Sequence, residues 1–227
     1  ILKIDKVYIK LNLSKKALNI NTKNAKLIAE SEPIKISNID INLNLLKFIK
    51  KENLIQNIKI NSSNNPIKNI TSFLNSIDYD LSSYIYDSQI KKGLLNFELD
   101  AKFDNLNQDV FSYTILGSVN DAEFNLLENE NLKFINFNFQ IKNKTSKISN
   151  LKFTFQGIDF LSKSLEIREE NSGVYLIKGD VESKTALVDP NLFFKVSNIK
   201  QDFLSNNDIL ISSKNLFSFK LNKNKKI

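Results

Sequence analysis

The sequence predicts a mostly β protein: a long antiparallel meander with a few short helices and one apolar sheet face. Three observations predict it. Apolar and polar residues alternate over almost the whole chain, the pattern of strands that bury one face. Turn-like clusters, Asn143 to Ser146, Glu170 to Gly173 and Asn206 to Asp208, separate these runs, and a spacing of roughly 8–12 residues between runs suits hairpins rather than crossover units. With 227 residues, 41% of them hydrophobic, the chain is long enough for one large domain or two small ones.

Taken in order, Val7, Ile9, Leu11 and Leu13 alternate with Tyr8, Lys10 and Asn12, and Ile39, Ile41 and Leu43 with Asp40, Asn42 and Asn44. Leu95, Phe97, Leu99, Ala101 and Phe103 form the longest run; Ile135, Phe137, Phe139 and Ile141 form the next. Leu151, Phe153 and Phe155 repeat the pattern, as do Phe217, Phe219 and Leu221. Extended over the chain, this reading gives roughly fourteen strands. Leu45 to Lys51 reads as a helical turn closing a strand. Asn69 to Ile77 reads as a helix, with Ile70, Phe73, Leu74 and Ile77 at helical spacing after Pro66. A further short helix is expected within 185–205, around Leu192, Phe193, Phe194 and Val196. The five glycines form no phosphate-cradling loop and are expected at strand starts, turns or bulges.

Absences bound the chemistry. The chain has no His and no Cys, which removes the commonest metal ligands, the histidine-assisted nucleophiles and any disulfide. Ser-x-x-Lys occurs three times, at Ser88, Ser149 and Ser197, without the Lys-Thr-Gly element that would give it catalytic meaning. The acidic cluster Glu166, Glu169 and Glu170 around Arg168 reads as a solvated strand end. No enzyme, metal or cofactor is expected. The net charge is +7, yet Arg168 is the only arginine. Phosphate and guanine recognition favours the forked guanidinium, so no nucleic-acid partner is expected. The short lysine runs read as solvated surface, with attraction to anionic headgroups as the alternative.

The apolar face poses the functional question. On the order of forty inward side chains, each worth roughly 1.5–3 kcal/mol when buried, exceed what a few short helices can cover. Either the sheet folds back on itself as a sandwich or closed barrel with a dry core, or it curls into an open trough covered by acyl chains. The candidate lining is Val7, Ile9, Leu11, Ile39, Ile41, Leu43, Leu95, Phe97, Leu99, Phe103, Ile135, Phe137, Phe139, Leu151, Phe153, Phe155, Phe217 and Phe219. Fourteen strands would give a trough roughly 65 Å long.

The stretch 36–77 adds a resemblance. An alternating strand, Ile36 to Leu43, runs into the turn Leu45-Leu46-Lys47-Phe48-Ile49; a second strand, Leu54 to Ile60, precedes a helix from Ile67 to Ile77. Val7 to Leu13 and Leu18 to Thr22 sit where an opening hairpin would lie. This arrangement resembles the amino-terminal repeat of the AsmA-like proteins, which are similar to bridge-like lipid transfer proteins. The resemblance implies a segment of a longer chain with an amino-terminal groove repeat over 1–77, a connection over 78–92 and a continuing β-groove over 93–227. It further implies phospholipid as cargo, a periplasmic location with an inner-membrane anchor outside this segment, and a partner at the outer membrane of a Gram-negative cell. The competing expectation is a structural or adhesive secreted β module without a ligand; a basic RNA-binding β domain is the third.

Overall fold

The structure, a computed structural model, describes residues 1–28, 32–50, 54–76, 89–103, 110–127, 130–143, 145–171, 173–188 and 209–222. In chain order these form β1 (Leu2–Asn12), β2 (Ala17–Leu27), β3 (Ile34–Asn44), α1 (Leu45–Ile49), β4 (Ile55–Ser62), β5 (Asn65–Pro66) and α2 (Ile67–Ser76). They continue with β6 (Ile90–Phe103), β7 (Val110–Leu127), β8 (Glu130–Lys142), β9 (Thr145–Phe155), β10 (Ile158–Asn171), β11 (Val174–Val188) and β12 (Ile209–Asn222). All twelve strands belong to one antiparallel sheet, ordered as in the chain, with the two-residue β5 beside β6. The sheet is open and curled; β1 and β12 are its edges and do not meet.

A sandwich is ruled out by the packing. Among the described residues each long strand packs against its neighbours in the sheet, and the one further element with substantial packing is α2, laid on β5 and β6. The chain exposes 15622 Å² for 26.1 kDa, whereas a compact monomer of that mass exposes about 10,500 Å².

The strands are fewer and longer than the expected fourteen, and the reason is physical. In ten of the eleven long strands the inward positions step at least once by three instead of two. The steps run Ile4 to Val7, Thr22 to Ala25, Ile36 to Ile39, Ile55 to Ile58, Ile90 to Gly93, Val119 to Ala122, Leu132 to Ile135, Ile148 to Leu151, Ser162 to Leu165 and Ser183 to Ala186. At four of them the backbone takes a left-handed residue: Asn24 (φ 54), Asp121 (φ 48), Phe134 (φ 53) and Asn150 (φ 55). Such bulges reset the face without ending the strand, and they increase twist and bend. A reading by strict period 2 ends a strand at each reset.

At the β10 reset, Asp180 of β11 accepts the backbone N–H groups of Lys163 at 3.1 Å and Ser164 at 2.9 Å. These two bonds hold its carboxyl below the ordinary value of 3.8. A depressed folded-state value stabilises the fold fully above pH 3.8 and loses that contribution as the pH falls through the lower folded value. Asp180→Ala is expected to lower the melting temperature above pH 3.8 and to blunt the further drop below it. Identical acid sensitivity of the parent and variant melting curves would refute this.

The helices seat as the sequence suggests. Asn44 caps α1 by accepting the Leu46 N–H at 3.0 Å. Asn65, fully buried, accepts the Lys35 N–H at 2.7 Å and donates to the carbonyls of Lys35 at 3.0 Å and Ser63 at 2.8 Å. Its amide thus closes the sheet where the chain turns into α2. Residues 189–205, where a third helix was expected, lie outside the described residues, as do residues 78–88 of the connection and the turn at 206–208; residues 185–188 belong to β11.

Candidate functional site: an apolar trough

Antiparallel partners directly opposite one another project to the same side of a sheet. Followed strand by strand, Val7, Thr22, Ile39, Ile60, Leu99, Ile115, Ile141, Ser146, Ile167, Ile177 and Phe219 are successive partners across all eleven long strands. Nine of the eleven are apolar, two carry hydroxyls, and none is charged. The neighbouring row on the opposite face runs Lys6, Lys23, Asn38, Asn61, Glu98, Leu116, Gln140, Lys147, Glu166, Lys178 and Ser218. Ten of those are polar. One surface of the sheet is built for water and the other is not.

All eighteen candidate lining residues lie on the apolar face. Ile39 and Ile135 are buried, while Val7, Ile9, Leu11 and Phe219 are exposed, with Ile9 at 68%. The other twelve are half-buried, the value for a trough floor with one side open. Two buried clusters anchor it. Ile67, Ile90, Val119, Ala122 and Ile135 form one, with Phe137, Phe139, Leu151 and Phe153 packed against it; Ala25, Ile34, Ile36 and Ile39 form the other, with Ile58, Ile60 and Ile70. Helix α2 joins them through Ile67 and Ile70. At ten residues it covers only about 15 Å, against about 47 Å for eleven strands at their usual spacing. That length replaces the longer trough expected from fourteen strands.

The aromatic rings pave the floor. Phe153 and Phe160 stack with centroids 5.1 Å apart, and Phe217 and Phe219 lie 5.9 Å apart. Two glycines make room for them in mid-strand, a placement the sequence reading did not foresee. Gly117 lies between Phe97 and Phe139, and Gly179 between Leu165 and Phe217. A Cβ at Gly179 would come 2.9 Å from the Phe217 ring, and one at Gly117 would run into the Phe139 ring. The other three glycines fit the expectation: Gly93 sits at a reset, Gly157 and Gly173 at turns.

Sequence reasoning missed Ile60, Ile115, Ile167 and Ile177 as lining residues. Those of β10 and β11 were hidden because Ser162, Gly179 and Ser183 occupy inward positions and interrupt the apolar pattern. The ion pairs Lys59–Asp100 at 3.2 Å and Lys147–Glu166 at 3.8 Å lie on the outer face. Glu170 accepts from Lys220 at 2.7 Å, which lowers its pKa. Comparison of the chain with protein-family models, with curated proteins and with solved structures finds no match. The function is therefore read from the trough's own geometry.

Proposed function

We propose that this chain is a non-enzymatic lipid carrier whose trough holds phospholipid acyl chains with their headgroups at the open lip. One observation carries the reading: an uncharged row of side chains crosses every long strand, exposed or half-exposed on nine of the eleven, and among the described residues no second layer beyond the short α2 covers it. Each Ile, Leu or Phe left wet forgoes part of the roughly 1.5–3 kcal/mol that full burial brings, and an acyl chain laid along the row recovers it. A leaflet's acyl chains occupy about half of a hydrocarbon core roughly 30 Å thick, so the trough accommodates more than one lipid lengthwise. The resemblance to AsmA-like proteins supports the same proposal, with periplasmic transfer between inner and outer membranes, an anchor outside this segment and an outer-membrane partner.

Protein purified from bacteria is expected to retain phospholipid, detected as discrete mass additions by native mass spectrometry and identified after solvent extraction. Lipid-free protein that also fails to take up a fluorescent phospholipid from vesicles would leave a structural or adhesive β module as the better reading.

A further inference from the structure

The positive charge of this protein is concentrated at one end of the sheet. Residues 1–28, the β1–β2 hairpin, hold seven of the 32 Lys and Arg residues and one of the 25 acidic residues. Their net charge is +6, leaving +1 for the rest of the chain. A codon bias toward lysine would act everywhere, yet beyond residue 28 basic and acidic residues almost balance. All seven lysines are exposed. Lys3 lies directly opposite Lys26, and Lys6 opposite Lys23, placements that weaken a sheet through like-charge repulsion. Among the described residues none of the seven forms an ion pair, whereas lysines farther along, such as Lys147 and Lys220, do.

Protection of a sheet edge against aggregation would account for lysines on β1. It does not account for Lys23 and Lys26, which lie on the covered strand β2, nor for the opposite edge, β12, which carries only Lys214 and Lys220. At its two ends the same hairpin also exposes Ile1, at 85%, and Leu13, at 76%. Lysines beside exposed aliphatic residues match a bilayer interface, where ammonium groups meet phosphates and apolar side chains enter below them.

We infer that the β1–β2 end of the trough docks on the surface of an anionic lipid bilayer. Docking uses the outer-face lysines and is separate from any cargo on the apolar face. The test is co-sedimentation of the full chain with phosphatidylglycerol–phosphatidylcholine vesicles, compared with pure phosphatidylcholine. Binding is expected only to the anionic vesicles, and it should be lost near 1 M salt, where the screening length is about 3 Å.

The variant K3Q/K6Q/K23Q/K26Q is expected to bind at least about tenfold more weakly. It removes two like-charge pairs, so its thermal stability should be kept or raised. A variant of equal charge loss on other strands, K133Q/K142Q/K152Q/K214Q, is expected to bind as the parent does. Equal loss in both variants, equal binding to phosphatidylcholine, or preferential capture of a single-stranded oligonucleotide through the same lysines would overturn the inference. Lipid retained in the trough is measured separately on K3Q/K6Q/K23Q/K26Q, so failure of the docking and failure of the carrier reading remain distinguishable.

Discussion

Gly117→Val is expected to cost about 3 kcal/mol of stability, the upper range for overpacking. Gly117 lies in the middle of β7, and a Cβ there would fall within 3.0 Å of the Asn96 carbonyl oxygen and of the Phe139 ring. The ring can swing away, but the carbonyl belongs to the backbone of β6, which is laddered to β7 from Ile90 to Phe103. The strands must therefore separate locally. Equilibrium urea unfolding measures the loss, and combining the substitution with Phe139→Leu should return part of it, since the two side chains compete for the same space. A valine variant within about 0.5 kcal/mol of the parent would show that neither the β6 backbone nor the ring crowds the glycine.

Phe137→Glu combined with Phe153→Glu is expected to leave the protein folded and to abolish its lipid. Phe137 and Phe153 pack against the same buried cluster from adjacent strands β8 and β9, and both are half-buried on the open side of the sheet. Carboxylates placed there reach water at the lip and escape the several kcal/mol cost of a buried, unpaired ion. An acyl chain lying along the floor has no such exit and meets two charges. Circular dichroism should report an intact β spectrum while native mass spectrometry shows the lipid gone. The contrast is Ile135→Glu, at a site only 5% exposed, which should unfold the sheet locally. A folded double variant that keeps its lipid would show that this stripe is not the binding path.

Much of this arrangement is legible in the residues. Alternation alone places Ile39, Leu99, Phe139 and Phe155 on one face, and Pro66 with the helical spacing that follows it marks α2. The resets are the part that alternation hides. Ile148 and Leu151 are both inward, yet a strict alternation starting from either puts the other outside; only the left-handed Asn150 between them reconciles the two. The number of strands is misjudged for the same reason. The openness of the trough is not written in the pattern either, because an alternating strand looks the same whether its apolar side meets another sheet, a lipid or water. Gly117 and Gly179 become meaningful only once the register sets an aromatic ring across each.

The neighbour-by-neighbour order of the strands has a kinetic and thermodynamic consequence. With no strand bonded to a distant strand among the described residues, the molecule behaves as a nearly one-dimensional array in which each strand feels only the strands beside it. Interior strands are held by two ladders, β1 and β12 by one. Unfolding should therefore begin at the ends and advance inward, with amide protection graded along the array rather than lost everywhere at once. Assembly can run the other way, each strand adding to the last as it becomes available, with loop closures short except before β6 and β12.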